Sequence, residues 1–387
     1  MFTYHELNNI SEKGTALFTN QYTRTDDAAA ANALLVRSAK LHDMDFSDEV
    51  FAIARAGAGV NNIPLEACAE KGIVVFNTPG ENANGVKEMV LAGMLLASRD
   101  IVGGIEWVRS QGEDPEIGKR AEKEKKQFAG TEISGKKLGI IGLGAIGQLV
   151  ANAATHLGMD VYGYDPYISV EAAWNLSRSI HHSLNVDEIY QECDFITLHV
   201  PANDATKGMV GKEQIASMKD GVVLLNFARE TLVNEIALVE ALKSGKVRKY
   251  VTDFANPIIA GAPNTLITPH LGASTEEAEE NCAVAAVREL RDFLENGNIR
   301  HSVNYPDMDM GICTEAGRIA ICHSNEVGMI QQFTEILSAH KVNVVNMINK
   351  SRGNFAYSMM DLGSASSEDI LEEIRNVEGV LRARIVK

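Results

Sequence analysis

The stretch Lys137-Leu138-Gly139-Ile140-Ile141-Gly142-Leu143-Gly144-Ala145-Ile146-Gly147 decides the fold. Lys137 to Ile141 reads as a short apolar strand and Ala145 to His156 as a helix, so the glycines lie in a strand-to-helix turn. A second strand, Asp160 to Tyr164, ends in Asp165. Glycine-rich turns are common, but one that leaves a strand, opens a helix and is followed by a strand ending in an acid is specific for dinucleotides. Gly142 makes the tight turn, Gly144 lets the backbone approach a pyrophosphate, and Gly147 lets helix pack on strand. Ala145 and Ile146 open the helix, whose free N–H groups and positive dipole end face the phosphates. The Asp165 carboxylate accepts from ribose hydroxyls and repels a 2′-phosphate. With no Arg or Lys in Pro166-Tyr167-Ile168-Ser169, the pattern predicts NAD rather than NADP.

Outward from this motif, Val- and Ile-rich runs alternate with helical stretches from about residue 33 to about 300, the pattern of an α/β fold with helices around parallel sheets. Ala33 to Arg37, Val50 to Arg55 and Gly72 to Phe76 are early examples, and ligands are expected at their carboxyl ends. An apolar segment, Val86 to Ala97, leads to Glu122-Lys123-Glu124-Lys125-Lys126, which reads as a solvated helix face. After Asn304-Tyr305-Pro306 the period changes. Strands at 318–323, 342–350, 354–361 and 380–386, with helices at 329–340 and 368–376, predict a ferredoxin-like βαββαβ module.

At 387 residues the chain has room for two or three domains. Its net charge of −16 argues against nucleic-acid or anionic-membrane partners, which require a positive field. No apolar run approaches the roughly 20 residues that span a bilayer, and the N-terminus lacks a basic-then-apolar order, so a cytoplasmic protein is expected. The five cysteines are scattered singly without CxxC spacing, which predicts reduced thiols and no metal site.

The order of motifs resembles the D-2-hydroxyacid dehydrogenase family. The resemblance runs through Leu35-Val36-Arg37-Ser38, Arg55 to Val60, Asn77-Thr78-Pro79, the glycine loop, Gly163 to Pro166, Asp194 to Pro201, Asn226-Phe227-Ala228-Arg229, and Pro269 to Thr275. It implies two Rossmann-like or flavodoxin-like doubly wound domains with the substrate between them. A discontinuous substrate domain would occupy residues 1–93 and 285–306, an NAD domain 94–284, a linker 307–317, and an amino-acid-sensing ACT module 318–387. Arg229 would bind the substrate carboxylate, since a planar fork binds carboxylates bidentately. His270 would be the general base, imidazole being the side chain that titrates nearest neutrality. His199, Val200, Pro201, Phe227, Ala228, Asp253 and Ala273 would line the cofactor, with Asp253 at its nicotinamide end. Arg55, Ala58 and Gly59 would hold the substrate, and an arginine there suits a phosphorylated one.

The implied reaction is oxidation of 3-phospho-D-glycerate by NAD. Alternatives are a glyoxylate or hydroxypyruvate reductase and a non-enzymatic NAD sensor. His323, Asn325 and Asn343 match positions that bind L-serine in related modules, so serine feedback and a homodimer or homotetramer are expected. Three departures stand out. The family's Glu partner of the catalytic His is missing, because no acid lies between Asp253 and His270; Asn61 stands where Asp is common; and Lys87 replaces a small residue. Glu276 and Glu277 are the acids next in sequence to His270.

Overall fold

The structure, a computed structural model, describes residues 1–387 and divides into two compact units. One comprises Met1–Asn82 with Glu276–Lys387, the other Ala83–Thr275. The resemblance put the divisions inside two long helices, at 93/94 and 284/285. The units divide where those helices start, so Ala83–Ser98 and Glu276–Asn296 each remain whole within one unit. The C-terminal module belongs to the same unit as the N-terminal sheet.

In the first unit, β1 (Phe2–Glu6), β2 (Tyr22–Arg24), β3 (Ala33–Val36), β4 (Ala52–Arg55) and β5 (Val74–Asn77) form a parallel sheet in the order β2-β1-β3-β4-β5, the flavodoxin-like order. The helix Glu276–Asn296 covers one face, burying Ala283, Ala286, Val287, Leu290, Phe293 and Leu294 at the three-and-four spacing of one stripe. The C-terminal strands are β13 (Gly317–Ser324), β14 (Val344–Arg352), β15 (Phe355–Leu362) and β16 (Val380–Ile385), antiparallel in the ferredoxin-like order β14-β15-β13-β16.

The two central strands of this module are buried on both faces. Ile319, Ile321 and Met360 meet the helices Met329–Ala339 and Glu368–Arg375, whereas Ala320, Cys322, Tyr357 and Met359 join the core under Phe293 and Tyr305. Polar anchors reinforce that second face. Arg384 donates to the carbonyls of Phe293 and Leu294, and its guanidinium lies 4.5 Å from the Phe293 ring centroid. These carbonyls belong to the last turn of a helix, where the dipole favours a cation. Tyr357 donates to the Gly297 carbonyl at 2.8 Å, and Arg318, fully buried, pairs bidentately with Asp361 at 2.6 and 3.0 Å.

In the second unit, β6 (Lys137–Ile141), β7 (Asp160–Tyr164), β8 (His181–His182), β9 (Phe195–Leu198), β10 (Val222–Asn226), β11 (Val247–Thr252) and β12 (Thr265–Ile267) form a parallel sheet in the order β12-β11-β10-β9-β6-β7-β8. The order reverses between β6 and β9, the switch point at which open α/β sheets bind ligands. The helix Ala145–His156 buries Gly147, Val150, Ala151 and Ala154, and Ala83–Ser98 packs beside it. The charge run lies in Ile117–Glu124 and the short turn after it, exposed, with Lys125 paired to Glu122. No helix of the chain is long and apolar enough to cross a membrane.

Candidate active site

In the second unit the predicted cofactor and catalytic residues follow the carboxyl ends of six strands at one edge of the sheet. The glycine loop follows β6, Asp165 follows β7, and His199-Val200-Pro201 follows β9. Phe227-Ala228-Arg229 follows β10, Asp253 follows β11, and His270 comes just after β12.

The three glycines do different work. Gly142 has φ +96°, a conformation that L side chains rarely adopt, and a Cβ there would strike the His199 carbonyl. A Cβ on Gly147 would strike the Gly142 carbonyl oxygen. Gly144 is the N-cap of the helix, and a Cβ there would meet only open space, so packing within the fold does not require glycine at this position. Asp165 shapes the same turn: Oδ2 accepts the Leu143 N–H at 2.8 Å and Oδ1 the Tyr167 N–H at 2.9 Å.

His199 sits beneath the loop. Its Nε2 is 3.0 Å from Thr197 Oγ1, its Nδ1 is buried without a partner, and burial pushes its pKa down to about 3, so the ring is neutral. Val200 is half-buried and Pro201 exposed. Phe227 and Ala228 are buried, and Ala273 is half-buried. Asp253 accepts the Gly272 N–H at 2.9 Å through Oδ2, while its buried Oδ1 has no partner. Burial raises its pKa, opposed by that N–H and by the neighbouring His270 and Arg229.

Arg229 is exposed, with Nη1 donating to its own Ala228 carbonyl at 2.7 Å. Asn226, which the sequence reading left out of the site, sets its backbone. Its Nδ2 donates to the Arg229 carbonyl at 2.9 Å, and its Oδ1 accepts the Ala228 N–H at 3.2 Å. The signal was present as a polar residue closing the wholly buried strand Val222–Asn226.

His270 is exposed and has φ +50°, held by bonds from its N–H to the Asp253 and Thr268 carbonyls at 2.9 and 3.0 Å. Its ring faces the Phe254 ring, centroids 5.0 Å apart at 60°, and hydrogen-bonds no carboxylate. In the loop before it, Asn256 caps the helix Pro257–Ala260 and donates to Glu235 Oε1 at 2.5 Å. Lys87 donates to Asn84 Oδ1 at 2.5 Å.

In the first unit, Arg55 ends β4 and ties its own loop together, donating to the carbonyls of Arg37, at 3.0 Å, and Gly59. Gly57 donates to Thr78 Oγ1 at 2.8 Å, and Asn77 Nδ2 to the Ala58 carbonyl at 2.5 Å. Asn61 is exposed, and Glu276 and Glu277 lie exposed in the first turn of their helix. In the C-terminal module His323 is buried and fully engaged. Its Nδ1 donates to the Ser324 carbonyl at 2.7 Å, and its Nε2 meets Ser358 Oγ at 2.9 Å and Asn349 Oδ1 at 3.2 Å. Asn325 donates to the Gly353 carbonyl at 3.1 Å, and Asn343 is exposed.

Residues 91–272 match the model of the D-isomer specific 2-hydroxyacid dehydrogenase NAD binding domain. A D-3-phosphoglycerate dehydrogenase of Methanocaldococcus jannaschii is 38% identical over 72% of this chain and 52% of its own length. A putative D-3-phosphoglycerate dehydrogenase of Schizosaccharomyces pombe is 31% identical over 84% of this chain and 71% of its own. The chain thus spans about half the length of some relatives it matches and most of others. Among solved structures, an NAD+-bound 3-phosphoglycerate dehydrogenase of Entamoeba histolytica superposes with a TM-score of 0.59 at 28% identity, covering 78% of this chain and 98% of that one. A D-2-hydroxyisocaproate dehydrogenase shares the fold, with a TM-score of 0.63 at 20% identity over 79% of this chain and all of the other. With the glycine loop, Arg229 and His270 following strands on one edge of the sheet, and with these relatives, this chain belongs to the D-isomer specific 2-hydroxyacid dehydrogenase family.

Proposed function

We propose that the chain oxidises 3-phospho-D-glycerate to 3-phosphohydroxypyruvate with NAD. The observation that carries the reading is that Arg229, His270 and Asp253 follow neighbouring strands on the edge that holds the glycine loop. The residues fit NAD: open space lies over Gly144, and Asp253 has a buried acceptor oxygen without a partner, suited to a carboxamide N–H. NAD, when bound, supplies the hydride acceptor. Arg229 binds the substrate carboxylate and polarises the forming carbonyl. His270 takes the hydroxyl proton as the C2–H bond breaks. Arg55, with Ala58 and Gly59, receives the substrate's anionic end.

In this reading the substrate domain comprises residues 1–93 and 285–306, the NAD domain 94–284, and residues 318–387 form a regulatory ACT module after a linker at 307–317. Cytoplasmic location, homo-oligomerisation and L-serine feedback belong to the same proposal. The engaged ring of His323 leaves Asn325 and Asn343 as the serine-facing groups. NADH oxidation with 3-phosphohydroxypyruvate, compared with hydroxypyruvate and glyoxylate and repeated with L-serine, tests the reading. Preference for the phosphorylated acid supports it, and no turnover with it overturns it. One observation favours a second reading, a non-catalytic NAD sensor: the ring of His270 has no carboxylate to raise its basicity.

A further inference from the structure

The first unit contains a cavity of about 300 Å³ that the proposed reaction does not use. It lies where the segment leaving β5, Thr78 to Glu81, passes the last turns of the helix Glu276–Asn296 and the strand-like stretch around His301. Two of its lining groups have unmet needs of opposite sign.

Glu289 projects from the helix and is buried, its side chain 8% exposed. Oε1 shares a 2.8 Å hydrogen bond with His301 Nδ1, but Oε2 is sealed from solvent without any partner. A buried carboxyl oxygen without a partner is costly, so a native site that keeps one needs a reason. Burial, together with the negative charges of Glu81 and Asp307, pushes this carboxyl up to about 9, so it is protonated at neutral pH. His301 is held opposite it at φ +57°, uncommon for a residue with a side chain, and its carbonyl accepts the Asn77 N–H at 3.3 Å.

The second group is Arg288, next in sequence and on the same cavity. It is exposed and makes no hydrogen bond or ion pair, unlike Arg300 beside it, which pairs with Asp309 and Asp292. Asp292 is already committed to the side-chain amides of Asn296 and Asn298, at 2.9 Å each. The cavity thus offers an acid, Glu289, whose partnerless oxygen meets a ligand when the carboxyl group turns toward the cavity, and one uncommitted cation, with Pro79 and Ala285 as its apolar walls.

We propose that this cavity binds a small zwitterion of the α-amino-acid class, its ammonium group against Glu289 and its carboxylate on Arg288. Electroneutrality favours this ligand over a simple anion, which Glu81 and Asp307 would repel, and over a simple amine, which would leave Arg288 unused. Binding is coupled to a proton. The ammonium group makes the ionised form of Glu289 the stable one, so each ligand bound at neutral pH displaces about one proton to solvent.

The test is calorimetry on the full-length chain with glycine, L-glutamine, methylamine and acetate, in buffers of differing ionisation enthalpy. We expect at least one of the two zwitterions to bind more tightly than methylamine or acetate, with release of about one proton per ligand. E289Q is isosteric, and it should weaken that binding roughly tenfold or more and abolish proton release; R288A should weaken it without abolishing proton release. NAD binding by each variant, unchanged, serves as the check of folding. No binding of either zwitterion at millimolar concentration overturns the proposal. So does binding that is the same in wild type, E289Q and R288A, because such a ligand sits elsewhere.

Discussion

Asp165 accepts the Leu143 N–H through one carboxylate oxygen and the Tyr167 N–H through the other, so the acid proposed to read the ribose also holds the glycine loop. Hydrogen bonds to a charged acceptor contribute about 1.5–3 kcal/mol each. Asp165→Ala should therefore raise the KM for NAD roughly 10- to 100-fold while changing kcat much less. Asp165→Ser should also narrow the preference for NAD over NADP. Steady-state kinetics with each cofactor varied checks both, and an unchanged KM for NAD would remove Asp165 from the site.

Gly144 and Gly147 separate cofactor from fold. Gly147→Ala drives a methyl group into the Gly142 carbonyl, an overpacking that costs on the order of 1–3 kcal/mol and lowers Tm by several degrees. Gly144→Ala meets open space and should leave Tm unchanged, yet weaken NAD binding about tenfold or more by keeping the pyrophosphate off the helix N-terminus. Thermal melts beside NADH fluorescence titrations distinguish them.

His270→Gln should lower kcat by roughly 10²- to 10⁴-fold and leave NADH binding intact, as expected of a general base. Phe254→Leu should cost up to about tenfold in kcat, because the aromatic contact is what the structure offers to steady the ring. A Phe254 variant with unaltered kcat would show that the substrate alone orients the base.

Glu289 makes stability depend on pH. Its folded pKa of about 9 lies above the value near 4.3 of an unfolded chain. Between those values the folded state carries a proton that the unfolded state has lost, so stability falls as pH rises through the window. Glu289→Gln removes the titration. It should match wild type near the lower limit and exceed its Tm increasingly toward the upper one. Melts across this range in the absence of amino acids check the direction, and a constant difference would refute it.

Arg318→Met should destabilise the C-terminal module by about 3–5 kcal/mol, since it leaves Asp361 buried with an uncompensated charge. Replacing both partners with apolar residues should restore much of the loss. Denaturant unfolding of the two single variants and the double variant gives the coupling directly.

What the sequence made legible follows from how local each signal is. The glycine loop, its strand Lys137–Ile141 and its helix Ala145–His156 depend on neighbours in the chain, and the reading matches the structure residue for residue. The strands of the C-terminal module were read to within a few residues, because two-residue alternation and turns are local too. Phe2–Glu6 and Tyr22–Arg24 carry no clear strand signal because these first-sheet strands are short and interrupted by polar residues. The partners of His323, the loop-tying role of Arg55 and the unmet oxygen of Glu289 could not be read, since each depends on groups that only folding brings together.

Arg384, on the carbonyls of Phe293 and Leu294, has a practical corollary for anyone dividing this chain. The last eighty or so residues are not a detachable cassette. Cutting after Tyr305 would strip the cover from Phe293, Ile299 and Tyr305 and leave the end of a long helix without its cation. Such a truncated chain should be sticky and heat-labile, so lost activity in it would report damage to the core of the first unit rather than a missing regulator.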